Sequence, residues 1–475
     1  LLAVACGLAA CAAPDSPAPQ PLGFEVPAAW SGNGVGGVAE PSHLARWWLR
    51  FDDPLLGALV DQALAANTRV AGAQAALRQA QALRDVAAAA LSPTLGVAAS
   101  AQRNEAGNGS TGTGGNTYAT GLTAAWLPDL SGGLRLGLAA TDATALASAA
   151  TLGDVQGAVA AEVALAYITL RSGQVRVGIA QANLANQLET LQITRWRQQA
   201  GLLTVLDTEQ ARAAAEQTRA LLPPLQTGVV QAGHALAVLV AGYENTELKT
   251  QYSQAVDGNL VGVFVPQTST DATLALPAQT LLQRPSVVAA RHQVDAAHAR
   301  LEQASVAGLP SVKLSGSLGL SAATLGALGN SAAVLRAVLA SISLPLLDGG
   351  ATSAQARAQH AAWQQAHQTY KAAVLTTLQE VEDQLAALQG DRERLQRLAA
   401  AADAATQAAT LARQRYDSGL ADFQTVLETQ RNRLTTQDGV ATAQAAISAD
   451  QVRLFRALGG GWVHSTLAPT TTEFP

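Results

Sequence analysis

The sequence predicts a mainly α-helical chain carrying strands for a transmembrane β-barrel, built as two copies of one unit: helix, strand, strand, long helix, long helix. Three observations carry this expectation. Ala, Leu and Gln dominate the 475 residues, while aromatics make up 4% and charged residues 14%, a composition that favours long helices over a conventional mixed core. Two stretches, Arg195 to Arg212 (RWRQQAGLLTVLDTEQAR) and Arg413 to Arg431 (RQRYDSGLADFQTVLETQR), both read as a helix end, a tight turn at glycine and a new helix start, with Gly419 lying 218 residues after Gly201. No apolar run reaches the roughly 18 residues of a membrane-crossing helix, so a span could only be made by strands of a closed barrel.

Residues 1–10 read as the remnant of a signal peptide, since LLAVACGLAAC follows no Met and lacks a charged start. Leu8-Ala9-Ala10-Cys11 matches the bacterial lipobox, so Cys11 is the expected site of diacylglycerol and palmitate attachment; the alternative is a plain secretory signal with an incidental cysteine. With residues 1–10 removed, Cys11 has no disulfide partner. Residues 11–50, rich in Pro, Gly, Ala and Ser, read as a tether. Ala12, rather than Asp, follows the cysteine and points to outer-membrane sorting.

Repeat 1 spans 51–240. Asp53 can N-cap a helix with Pro54 at its first position, and apolar spacing from Leu55 to Leu77 carries that helix to about Ala90. Pro93 stops it. Residues 94–103 and 117–127 read as strands around a Gly-rich loop, giving a barrel hairpin over about 92–129. Each strand is long enough to cross a bilayer at a tilt. That loop has no Lys-Ser/Thr after its glycines and is no phosphate cradle. Long helices follow over about 134–240. Val159, Val163, Ala166, Leu170, Val177, Ala180, Leu184 and Leu191 form a coiled-coil seam, and about 65 residues at 1.5 Å each make a rod on the order of 100 Å. Pro223-Pro224 should bend or break the returning helix.

Residues 241–275 lose the pattern and read as an irregular equatorial segment. Repeat 2 spans 276–462, with a barrel hairpin over about 310–346, long helices over about 349–458, and a tail at 463–475. Its seam runs Val374, Leu378, Val381, Leu385, Leu388 and Leu395. Val287, Pro310 and Gly349 follow Val70, Pro93 and Gly132 by 217 residues, and Val381 and Gly419 follow Val163 and Gly201 by 218. One register with a single-residue slip marks an internal duplication.

One two-stranded hairpin per repeat cannot close a barrel, and lipid forbids open edges. The four strands should therefore be pooled across copies, with helical tubes below them. Such a tube is a duct. Catalytic equipment is not evident: the seven histidines are scattered, His360 and His367 are too far apart for one metal, His292 and His298 do not share a face, and no Ser–His–Asp set can be argued. The chain is read as a non-enzyme without cofactor beyond the lipid at Cys11. A net charge of −5 without a basic patch argues against nucleic acid. Trp126, near a strand end, suits an interfacial belt or simple packing.

Trp47-Trp48...Phe51...Asp53-Pro54, Leu346-Leu347-Asp348-Gly349-Gly350, Arg415-Tyr416-Asp417-Ser418-Gly419-Leu420, Val426-Leu427-Glu428 and Ala457-Leu458-Gly459-Gly460-Gly461-Trp462 together resemble the TolC family of outer-membrane efflux proteins, in its lipid-anchored NodT/OprM-like branch. The resemblance covers essentially everything after Cys11. It implies a homotrimer, a twelve-stranded barrel with four strands per subunit, a trimeric α-barrel tunnel in the periplasm of a Gram-negative bacterium, and docking to a periplasmic membrane-fusion adaptor and an inner-membrane pump of RND type. It also implies roles at the tips. Glu428 takes the position of an acidic residue projecting into the periplasmic aperture, with Arg431 nearby to pair with it or with a neighbour, and Gln424 where an apolar plug residue is common. Tyr416 and Asp207 match a hydrogen bond between the two tips. An ordinary surface pair for Glu428 and Arg431, and helix N-capping for Asp207, are the structural alternatives.

The function so implied is a passive exit duct of a tripartite efflux system for small molecules such as drugs. A type I secretion or metal-efflux duct of the same fold, or a purely periplasmic coiled-coil adaptor, are the alternatives. The two matched β-hairpins weigh against the adaptor.

Overall fold

A computed structural model describes residues 42–104, 115–241, 263–268, 278–330 and 333–461. Cys11, the tether before residue 42, most of 241–275, Trp462 and the tail lie outside the described residues.

Each repeat contributes two strands and two long helices, preceded by two α-helices in repeat 1 and by one in repeat 2. Repeat 1 holds α1 (Pro54–Ala66), α2 (Thr68–Ala89), β1 (Thr94–Asn104), β2 (Gly115–Trp126), α3 (Gly133–Gln199) and α4 (Val205–Leu239); repeat 2 holds α5 (Pro285–Val306), β3 (Ser311–Ala322), β4 (Val334–Ser343), α6 (Ala351–Asp417) and α7 (Phe423–Ala457). The duplication is visible in length: α2 and α5 have 22 residues each, α3 and α6 have 67, and α4 and α7 have 35. At 1.5 Å per residue the longest rods reach about 100 Å.

Three expectations are corrected. The first helix is not continuous to Ala90. Asn67 turns to an extended backbone, caps α2 by accepting the Arg69 amide on its side-chain Oδ1 at 2.9 Å, and donates its side-chain Nδ2 to the Leu239 carbonyl at 2.8 Å. A side chain that satisfies backbone groups on two elements outcompetes one more turn of helix. Of the bend or break expected at Pro223-Pro224, the break does not occur: α4 runs uninterrupted from Val205 to Leu239. Arg219 and Ala220, whose carbonyls lose their partners, are exposed, so water can take those carbonyls while Thr218 and Val229 stay buried on the packed face. The slip between repeats also falls earlier than Gly349 suggests: the left-handed N-caps are Gly132 and Gly350, already 218 apart. Between β3 and β4 lies a short 3-10 turn, Leu325–Gly329.

The strands form one sheet of order β1-β2-β3-β4, antiparallel throughout. Direct pairs put Val97, Leu122 and Leu318 in one row and Leu95, Ala124 and Val338 in another, so these share a face with Trp126, Leu314 and Ile342. The opposite face carries Ser100, Gln102, Thr117, Thr123, Lys313, Ser315 and Ser317, with Leu335 and Leu339 of β4 as exceptions. Apolar-out and polar-in alternation is the pattern of a membrane barrel around water. Both outer strands, β1 and β4, keep a free edge within one chain. No described helix is long and apolar enough to cross a membrane.

The core sits at the equator, where the repeats meet. Trp47 is fully buried, stacks on Phe455 at 5.5 Å and meets Trp48 and Phe51 edge-on. Asp53 caps α1 as its position predicts, accepting from the Leu55 amide at 3.0 Å, and its other oxygen accepts the Tyr167 hydroxyl at 2.8 Å. The glycines of Ala457–Gly461 permit close approach: a Cβ on Gly460 would lie 2.8 Å from Trp47 and from the Phe455 carbonyl. The two repeats use matching contacts here. Asn67 reaches the Leu239 carbonyl, and its counterpart Arg284 reaches the Ala457 carbonyl at 3.4 Å while pairing with Glu380 at 2.5 Å.

Candidate functional site at the helical tips

Each long helix that descends from the sheet ends in a glycine turn. At the first tip Gly201 takes φ 73°, its amide bonds the Gln198 carbonyl at 2.9 Å, and the Leu202 amide bonds the Arg197 carbonyl at 2.8 Å. The second tip repeats this with Gly419 at φ 75°, Gly419 to Tyr416 at 3.0 Å and Leu420 to Arg415 at 2.7 Å. This is the Schellman pattern, in which a left-handed residue that only glycine adopts freely lets the last carbonyls be satisfied. Restarting the chain needs a cap, and the caps fall in register: Thr204 for α4 and Asp422 for α7. Hydrogen bonds from the Thr425 side chain and amide hold the Asp422 carboxyl below its usual range.

A small apolar cluster joins the tips. Leu191 of α3, Ala211 and Ala214 of α4, Ala412 and Tyr416 of α6, and Phe423, Val426 and Leu427 of α7 are all buried together. Above it, α3 and α7 are zipped by polar contacts that recur every seven residues on α3. Gln430 donates to Thr190 at 3.2 Å, Arg433 donates to Asn183 at 3.0 Å, and Arg176 pairs with Asp438 at 2.6 Å. A seven-residue recurrence is a coiled-coil position, adjacent to the apolar seam at 177, 184 and 191.

The hydrogen bond expected between Tyr416 and Asp207 is not made within the chain. Asp207 is occupied in a capping box: it accepts from the Thr204 amide at 3.0 Å and hydroxyl at 2.6 Å, and its own amide donates back to Thr204. Both of those donors fall on Oδ2, and the reciprocal box holds the carboxylate over its own helix start. The Tyr416 hydroxyl is buried without a hydrogen-bond partner among the described residues, and burial pushes its pKa up. Arg197 makes the link instead. Its guanidinium lies 4.5 Å from the Tyr416 ring centroid, 3.5 Å from the Tyr416 carbonyl and 3.5 Å from the Asp417 carboxylate. Arg413 adds a second bridge between the repeats, to Glu189 at 2.7 Å. Both arginines stand inside the duplicated tip stretches, but their partners lie in the other repeat, so only the packing of one tip on the other reveals them.

Gln424, Glu428 and Arg431 are exposed on the first turns of α7. Gln424 donates to Glu428 at 3.3 Å, and Arg431 reaches across to Gln217 of α4 at 3.4 Å rather than to Glu428. Each tip also shows bare apolar side chains: Leu202 is 72% exposed and Leu420 79%, with Val205 and Leu206 beside the first. No group of three or more His, Cys, Asp or Glu side chains is placed to hold a metal among the described residues.

The profile described as "Outer membrane efflux protein" matches residues 59–242 and 276–460. The two matched segments start 217 and end 218 residues apart, the duplication offset itself. The chain belongs to the outer membrane efflux protein family. Among relatives of this efflux protein, the toluene efflux pump outer membrane protein TtgF of Pseudomonas putida is 30% identical over 431 residues, covering 90% of this chain and 88% of the relative. The outer membrane protein OprJ of Pseudomonas aeruginosa is 30% identical over 461 residues, covering 92% of each. Among solved structures, the outer-membrane channel OprN is 32% identical with a TM-score of 0.83, covering 92% of this chain and 98% of that one. VceC of Vibrio cholerae is 26% identical with a TM-score of 0.78, covering 88% and 99%. The efflux protein resides in the outer membrane, as its family does, and its helices descend from the sheet toward the periplasm.

Proposed function

We propose that three copies of this chain close a twelve-stranded barrel and a helical tunnel, forming the passive exit duct of a tripartite efflux system for small molecules. The observation that carries this reading is the sheet: one apolar face, one polar face, and free edges at β1 and β4. Lipid tolerates no unpaired strand edge, and four antiparallel strands per copy leave β4 of one chain antiparallel to β1 of the next. Attachment of diacylglycerol and palmitate at Cys11 is part of the same proposal. So is docking of a periplasmic adaptor, coupled to an inner-membrane pump of RND type; the bare Leu202, Val205, Leu206 and Leu420 offer that partner apolar surface at the end of the tube. The duct performs no chemistry itself, and the pump chooses the cargo. Names of relatives such as TtgF support small organic cargo.

Deleting the gene is expected to make the host sensitive to efflux-pump substrates, with resistance restored by this chain. Unchanged susceptibility together with a monomeric barrel-less protein in the outer-membrane fraction would remove the proposal.

Glu428 from three copies would ring the periplasmic aperture, with Gln424 one turn earlier and Arg431 one turn later. Arg197, rather than Asp207, is the residue proposed to hold the tips together. Its cation–π contact and partly exposed ion pair are together worth about 1 kcal/mol, so Arg197→Ala should raise the open population about fivefold. Single-channel conductance in planar bilayers checks this: traces indistinguishable from wild type would rule out the latch, and Asp207→Ala should change conductance less.

A further inference from the structure

The four strands carry three charged residues, Arg103 in β1, Lys313 in β3 and Arg336 in β4, and no acidic one. Strand registers put both arginines on the apolar face and Lys313 on the polar face. Both also lie near the ends remote from the helices, Arg103 beside the last residue of β1 and Arg336 in the first turn of pleat of β4. Tyr118 shares that face and that end. An arginine facing hydrocarbon costs about 2–4 kcal/mol at mid-bilayer and about 0–1 near the interface. Two of them on the lipid face, level with a tyrosine, belong at the headgroups of the outer leaflet.

Their strands are the two free edges of the sheet. Under the closure proposed above, on which this inference rests, β4 of one copy meets β1 of the next. The internal counterpart of that seam is β2 against β3, where Tyr118 faces Ala322. Carrying this register over by the duplication offsets sets Val338 opposite Arg103 of the neighbouring copy. Arg336 then sits two residues along on the same face, the diagonal position that long side chains reach. Registers within one chain already put both arginines on that face, and the carried-over register pairs like face with like.

We infer that each seam between copies binds a phosphate-bearing glycolipid of the outer leaflet, its phosphate held by Arg103 of one copy and Arg336 of the next. The planar fork of guanidinium matches phosphate oxygens in pairs, and two converging cations on an otherwise apolar face select a ligand with acyl chains and an anionic head. The site thus seals the seam with the lipid that surrounds it.

The test uses intact protein in mild detergent, stripped of lipid and offered bis-phosphorylated lipid A or phosphatidylglycerol, with bound mass read by native mass spectrometry. Wild-type trimers should retain up to three lipid A molecules. R103Q/R336Q trimers should bind about tenfold more weakly, equivalent to about 1.4 kcal/mol; R103K/R336K, which keeps the charges without the planar forks, should fall between that and wild type, and Lys313→Gln should be indistinguishable from wild type. Equal retention by R103Q/R336Q, or preference for phosphatidylglycerol, would overturn the site. A double variant that fails to form trimers, with R103K/R336K failing likewise, would assign the arginines to packing instead. Spectra without any wild-type trimer would overturn the closure itself, a result separable from loss of lipid alone.

Discussion

Gly121→Val should abolish assembly in the outer membrane. Gly121 and Gly319 face each other across the β2–β3 pairing, the join between the two repeats. A Cβ on Gly121 would lie 2.6 Å from the Gly319 Cα and 2.7 Å from the Leu318 carbonyl; one on Gly319 would lie 2.7 Å from the Thr120 carbonyl. Both obstacles are backbone, which cannot rotate aside, so the cost is about 3 kcal/mol or more. Strands forced apart here also lose the hydrogen bonds that lipid cannot replace. The measurement is the amount of heat-resistant oligomer in outer-membrane fractions. Gly96→Ala is the matched control, because its Cβ would meet only the Thr123 hydroxyl at 3.6 Å. Wild-type amounts of Gly121→Val oligomer would show that the close approach does not govern assembly.

Trp47→Ala should have the second-largest effect, and it acts far from the membrane. The side chain is fully buried and stacked on Phe455 of α7, which ties the segment ahead of α1 to the end of repeat 2. Truncating a buried Trp typically costs about 3–5 kcal/mol, part transfer and part cavity. Gly460 and Gly461 are packed against this ring, so a smaller side chain leaves a void that two glycines cannot fill. Thermal unfolding followed by circular dichroism should show a lower midpoint for Trp47→Ala and a smaller loss for Trp47→Phe. A midpoint equal to wild type would mean that the equatorial cluster is dispensable.

The duplicated architecture was legible because its signals are local and repeated. Glycine turns, prolines after helices and alternating strands recur at one offset, and the elements built on them match within a few residues. What escaped was what depends on contact between distant elements. Asn67 lies in an unbroken helical pattern, and only its bond to Leu239 explains the break. Pro223 and Pro224 sit on the solvent side of α4, a fact set by packing rather than by composition. At the tips, Tyr416 lies in the cluster between repeats, but Asp207 is held by its own helix start and Arg197 takes the contact. Residues 177, 184 and 191 mark the apolar seam in sequence, whereas the polar zipper beside them at 176, 183 and 190 needs the partner helix to be seen.

The paired glycines also say something about descent. Before duplication, an ancestor with one repeat would have closed its ring from six identical hairpins, and every join between hairpins would have had one chemistry. In the proposed trimer these joins fall into two classes, one inside each chain and one between chains. The positions equivalent to Gly121 and Gly319 in the second class are Leu339 and Gln102, so the tight glycine crossing survives in only one of them. Selection could then harden the covalently linked join and leave the other free to adapt to its lipid surroundings, a division of labour closed to a ring of identical halves.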